Sequence, residues 1–164
     1  MEPQTIPFGP DHVRRVLHQL DPTLDVQHFE ATTFTSQDAA DAIGCRLGQI
    51  AKSMCLFADG APLVVVMSGD RRLSDAKLAK RFGIGRKKIK IAQRNECVDV
   101  FGYEPGGVSP VGHRTAGIPI LVDERLRRWD EVWAAAGSAN DNFKVTFDQL
   151  CRITDGEVVD CAKD

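Results

Sequence analysis

Leu63-Val64-Val65-Val66-Met67 is an apolar run with no polar position inside it. A strand that alternates apolar and polar residues can leave one face in water. This run cannot, so it is predicted to lie centrally in a sheet that is covered on both faces. Its partner precedes it: Ile50 to Phe57 reads as a second strand, and Ala58-Asp59-Gly60-Ala61 between the two is a hairpin signal.

Other elements arrange themselves around that hairpin. Asp11, after Pro10, starts a helix over 11–20 in which Val13, Val16, Leu17 and Leu20 share one face, ending before Asp21-Pro22. A strand is expected around His28 to Phe34, and Ser36 is read as the cap of a short helix closed by Gly44. Ser74 caps a helix whose Ala76, Leu78, Ala79 and Phe82 pack inward and which closes at Gly83. A strand at Lys88 to Ala92 and a helix from Asn95 to Phe101 follow. Strands near Ile118–Asp123, Glu131–Ala136 and Phe143–Thr146, then a helix over Asp148–Ile153, complete the reading. The expected class is α+β: a mixed β-sheet or partly closed barrel of about six to seven strands, surrounded by helices.

A chain of 164 residues can bury one sizeable core but not two ordinary ones, so a single domain over 1–164 is expected. The 63–67 run is far too short for a bilayer span, and Met1-Glu2-Pro3-Gln4 lacks the basic and apolar pattern of a secretory leader. A cytoplasmic protein without membrane contact is the expectation. Cys45, Cys55, Cys97, Cys151 and Cys161 are odd in number and widely spaced, which fits reduced thiols rather than a disulfide framework or zinc site.

Net charge is only −2, yet it is strongly polarised. Between Arg71 and Arg94 stand ten Lys or Arg residues and one acid, Asp75, a local charge of +9; the rest carries 11 bases against 22 acids. Such a split can steer a polyanion onto one face, although a basic run is equally the solvated side of a helix and strand.

No HExxH, GxSxG, phosphate-binding glycine loop or paired-histidine set is present. His12 and His18 read as packed or solvated helix residues. The segment from Gly102 to His113 is different, with four of the fourteen glycines and two of the eight prolines. Glycines let backbone N–H groups approach a ligand and converge on a developing oxyanion; the alternative is a wide turn at a sheet edge.

Five fragments in order carry a resemblance: Ile50-Ala51-Lys52-Ser53-Met54, Gly69-Asp70-Arg71-Arg72, Gly102 through Pro110, Pro119-Ile120-Leu121-Val122-Asp123, and Ala136-Gly137. Together they resemble the YbaK/prolyl-tRNA synthetase-associated domain over roughly residues 25–155. Members of that family hydrolyse the ester of misacylated tRNA, as free proteins or as a domain within prolyl-tRNA synthetase, and this chain resembles the free-standing branch. The resemblance implies a trans-editing deacylase acting on a small amino acid such as Ala, Cys or Ser, with tRNA(Pro) one candidate carrier. Mischarged tRNA is then the partner, prolyl-tRNA synthetase a second candidate partner, and monomer the default state. No cofactor or metal is expected.

The same resemblance assigns roles. Lys52, a charge on an otherwise apolar strand, is expected in the pocket on the terminal phosphate, ribose or acyl carbonyl. Gly106 and Gly107 open the GxxxP loop whose backbone, with Val108, Ser109 and Pro110, orients the carbonyl. Ser53, Gly112 and His113 are expected on the substrate, and Gly137 as the small residue that leaves room for the acyl group. Arg71, Arg72, Lys77, Lys80, Arg81, Lys87 and Lys88 are the expected tRNA contacts. Water, or a thiol side chain of the substrate, is the expected nucleophile; the alternative is Ser109 with His113 as its base. A non-catalytic tRNA-binding or synthetase-docking module and a hydrolase of small esters without RNA are the competing readings.

Overall fold

A computed structural model describes residues 5–164; Met1–Gln4, read above for their lack of a leader pattern, lie outside the described residues. The 63–67 run lies within β3 (Ala61–Ser68), the middle strand of a five-stranded mixed sheet ordered β4-β2-β3-β5-β8. β2 (Ala51–Ala58) pairs with it antiparallel through the expected hairpin, with Lys52 opposite Met67. β5 (Ile120–Asp123) pairs with β3 in parallel on its other side and with β8 (Glu157–Val159) in parallel beyond. β4 (Ile89–Ile91) edges the sheet but reaches only Leu56 to Ala58 of β2.

Alternation along β3 divides the interior in two. Val64 and Val66 enter a large core with Leu17, Phe101, Tyr103 and Phe143; Leu63, Val65 and Met67 enter a second with Leu56, Leu78 and Leu121. All five of these β3 residues are at most 2% exposed. Each such side chain contributes roughly 1.5–3 kcal/mol by leaving water, which is why this strand dictates the sheet.

The remaining strands form a second, antiparallel sheet ordered β1-β7-β6, from β1 (Gln27–His28), β6 (Glu131–Ser138) and β7 (Asp141–Thr146). Among the described residues the two sheets are joined by one parallel bridge, Ile50 with Trp133. Among the described residues the architecture is therefore α+β, with eight strands in one mixed and one antiparallel sheet and no closed barrel. Beside the bridge, residues 51–54 of β2 have β3 on one edge and no strand on the other.

Among the described residues five α-helices cover these sheets: α1 (Pro10–Leu20), α2 (Ser36–Ile43), α3 (Asp75–Phe82), α4 (Arg94–Glu96) and α5 (Phe147–Thr154). Thr35, not Ser36, caps α2, through a reciprocal box with Asp38. The helix expected over 95–101 changes character at Cys97, where five residues wind as a π-turn ending on Gly102 at φ +96°. The strand expected over 28–34 stops at His28. Beyond it the Asn140 side-chain amide donates to the carbonyls of Phe29 and Ala31, at 3.0 and 3.3 Å, and holds the segment as an arch. No helix among the described residues is long and apolar enough to cross a membrane.

Candidate active site

The unpaired edge of β2 opens onto a cavity of about 240 Å³. Lys52 and Ser53 from β2, Gly106 and Val108 from the glycine loop, Phe34 from the arch and Asn142 from β7 share its wall. The Cys55 carbonyl on this edge accepts from the Ala92 N–H at 2.9 Å. By the alternation of an antiparallel ladder, the Ser53 N–H and C=O point the same way two residues earlier, where β4 does not reach. The Ser53 hydroxyl is buried without a hydrogen-bond partner among the described residues. An orphaned polar group on a cavity wall is a place for a ligand atom.

Lys52 is half-buried and its Nζ donates to the Arg71 carbonyl at 2.8 Å. Burial lowers its pKa; the Asp70 carboxylate opposes that shift and Arg72 adds to it.

Along the loop, Gly107 is fully committed: its N–H donates to the Glu104 carbonyl at 3.0 Å, and its own carbonyl accepts from Gly137 N–H at 2.9 Å. The N–H groups of Gly106 and Val108, both lining residues, have no backbone acceptor among the described residues, whereas that of Gly107 is taken. A Cβ on Gly106, at φ +89°, would run into the Phe34 ring, so glycine here lets the aromatic close over the loop. Phe34 nevertheless stays 55% exposed, forming an apolar rim.

Several expected positions lie elsewhere. Ser109 is 0% exposed and does not border the cavity; its hydroxyl accepts from Val111 N–H at 3.4 Å. His113 Nε2 meets the Ser109 carbonyl, not its hydroxyl, at 2.8 Å, and burial lowers its pKa to about 4. Pro110, Gly112 and His113 border a separate hollow with Ile118 and Ile153. The hydroxyl of the buried Tyr103 donates to the Val111 carbonyl at 2.6 Å and fastens this half of the loop to the core. Gly137, at φ +91°, faces the backbone of Gly9 and Pro10, 2.6 Å from where its Cβ would stand. The space it leaves is occupied by the start of α1 rather than open to an acyl group. Two further wall residues, Asn142 and Thr33, carried no site signal in the sequence; Asn142, 3% exposed, donates to Thr33 Oγ1 at 2.9 Å.

The basic segment also sorts itself. Lys77 contacts Asp160 and Asp164 at 3.0 and 2.9 Å and the Ala162 carbonyl at 2.7 Å; Arg81 pairs with Glu157, Lys88 with Asp59 and Arg71 with Asp70. Arg72, Lys80 and Lys87, together with Arg86 and Lys90, have no carboxylate within 4.0 Å among the described residues.

Residues 30–153 match the family model of the aminoacyl-tRNA editing domain. The chain belongs to that family. The class of reaction, hydrolysis of an aminoacyl ester on tRNA, comes with that membership. This editing domain is 33% identical to the protein YwhH of Bacillus subtilis (strain 168) over 143 residues, which is 85% of the chain and 88% of YwhH. It is 24% identical over 124 residues to EbsC of Enterococcus faecalis (strain ATCC 700802 / V583), 75% of the chain and 74% of EbsC; the name of EbsC proposes a Cys-tRNA(Pro)/Cys-tRNA(Cys) deacylase. Among solved structures, a candidate trans-editing enzyme for prolyl tRNA synthetase superposes with a TM-score of 0.86 at 30% identity, covering 100% of this chain and 99% of the other.

Proposed function

We propose that this editing domain acts in trans on tRNA carrying a wrongly attached small amino acid, with tRNA(Pro) as the leading carrier. The observation that supports it most is that Lys52, Ser53 with its unpaired hydroxyl, and Gly106 and Val108, whose N–H groups have no backbone acceptor among the described residues, all line one cavity. Its volume lies below the roughly 300–1,000 Å³ of sites for drug-sized ligands, and Ala39, Ala51 and Ala135 keep its wall shallow. A small acyl group fits; the terminal nucleoside must then lie outward over Phe34.

Synthetases need such a second site because one methylene is worth only ~1–3 kcal/mol to a binding pocket. In the reaction, water adds to the acyl carbonyl carbon, and the carbonyl oxygen takes up negative charge. The two loop N–H groups and Lys52 stabilise that oxyanion. The carbon–oxygen bond to the ribose then breaks, and the water proton ends on the ribose oxygen. When the acyl group carries a thiol, that thiol can add to the carbonyl carbon in place of water; its proton goes to the ribose oxygen as the ester bond breaks, and water then opens the resulting thiolactone. Ser109 is not the nucleophile in this reading, because its hydroxyl is enclosed away from the cavity.

The test is a panel of tRNAs mischarged with labelled Ala, Cys, Ser and Pro. Release of one small amino acid by the wild-type protein, with Lys52→Ala reduced at least about 100-fold, is expected. Retention of every ester would overturn the reading in favour of a binding module.

A further inference from the structure

Lys52 does not hold its own position. Its ammonium is anchored by one carbonyl, that of Arg71, and Arg71 belongs to the turn that leaves β3. That turn is closed by Arg71 N–H donating to the Ser68 carbonyl at 3.0 Å, and tied to the start of β2 by Gly69 N–H donating to the Ile50 carbonyl at 2.7 Å. Inside it, Asp70 Oδ1 accepts from Arg128 Nη2 at 2.6 Å and lies 2.9 Å from Ser68 Oγ. Arg128 also donates to Ser68 Oγ at 3.0 Å, and the Ser68 hydroxyl donates to the Gly48 carbonyl. The guanidinium lies over the Trp129 ring, 5.0 Å from its centroid.

No slack remains around this pair. A Cβ on Gly48 would stand 2.6 Å from Arg128 Nη2 and 2.9 Å from Asp70 Oδ2. An ordinary surface ion pair contributes little and fixes nothing. Here both members are about one third exposed, and the pair clamps the single turn whose carbonyl grips the cavity's cation.

We propose that Asp70 and Arg128 are positioning residues: their ion pair fixes the Ser68–Arg71 turn so that the Arg71 carbonyl holds the Lys52 ammonium at the cavity wall. This rests on the reading of Lys52 as the cation of a deacylase. The charged groups around Lys52 are Asp70, Arg71 and Arg72 on the turn and Arg128 beyond it.

Two readouts test it. In single-turnover deacylation, Arg128→Ala should lower the maximal rate about tenfold or more with KM within about threefold, as misplacement of a catalytic group does, while Arg128→Lys restores most of the rate. Separately, NMR on protein with labelled lysine side chains follows the Lys52 titration without any substrate. In Asp70→Asn the Lys52 midpoint should fall below its wild-type value while the other lysines stay, because the carboxylate that favours the ammonium is gone. Wild-type rates in both Arg128→Ala and Asp70→Asn, or an unmoved Lys52 midpoint in folded Asp70→Asn, would overturn the inference. An inactive wild type with a shifted Lys52 midpoint would instead sink the deacylase reading and leave the positioning role standing.

Discussion

Gly137 N–H donates to the carbonyl of Gly107 at 2.9 Å, and that bond ties the glycine loop to the end of β6. It is available because β6 bulges between Ala135 and Ser138, which turns the Gly137 backbone out of the ladder toward the loop. The loop wall of the cavity is thus positioned by a strand irregularity two residues from the wall residue Ala135.

Substituting either glycine should loosen that wall. A Cβ on Gly107 would lie 2.7 Å from Ser138 N, and one on Gly137 2.6 Å from Gly9 C, both backbone atoms that cannot swing aside. Gly137→Ala, at φ +91°, should cost about 2–4 kcal/mol, read as a fall in denaturant midpoint. Gly107→Ala should lose deacylation more than stability, because it separates the loop donors from Lys52.

Ser109→Ala separates the two nucleophile readings. With its hydroxyl enclosed and accepting from Val111 N–H at 3.4 Å, the variant should lose about 1 kcal/mol of stability and keep its deacylation rate within about threefold. A rate loss of three orders of magnitude would restore the serine mechanism.

His113 makes stability depend on acid. Burial holds its pKa at about 4, below the about 6.5 of an unfolded chain, so the folded state favours the neutral ring. The unfolded state therefore binds the proton first. Stability is intact above pH about 6.5 and declines as pH falls toward 4, by on the order of 3 kcal/mol in total. Thermal melts at intervals across that window should show the decline in wild type and a flatter curve in His113→Gln. The carboxylates with lowered pKa, Asp21, Asp25, Asp70 and Asp160, act below the window.

Salt should expose which bases meet tRNA. Lys80 and Lys87 have no carboxylate partner among the described residues, so Lys80→Ala or Lys87→Ala should each reduce the slope of log KM against log salt by about 1. Lys77 joins α3 to the acids at 160 and 164, so Lys77→Ala should shift the melting temperature and leave the slope alone.

The sheet was legible where hydrophobic pattern and burial coincide. Five consecutive apolar residues admitted one placement, and β3 occupies it; Asp59-Gly60 fixed its hairpin with β2. β8 escaped notice because Glu157-Val158-Val159 is too short to show a period and pairs only with a distant strand. The pattern left a mixed sheet and a partly closed barrel both open, since nothing local reports that Ile50, just before β2, bridges Trp133 of β6. Within the site, Lys52 stood out as a charge on an apolar strand. Asn142 did not: on β7 it alternates with Phe143 and Val145 just as the exposed Lys144 does, and only the arch above it makes that position interior. Gly137 was expected from the family resemblance to leave room for the acyl group, and no local pattern shows that the backbone of Gly9 and Pro10 takes the space beside it.

The single bridge between Ile50 and Trp133 has a cost-free look that is misleading. Two or three more rungs there would zip the sheets together, satisfy the dangling edge of β2 and make a sturdier molecule. They would also erase the hollow. On the proposed reading the room for chemistry is a seam left unsewn, and selection for hardness at that seam alone would yield a well-folded, inert chain.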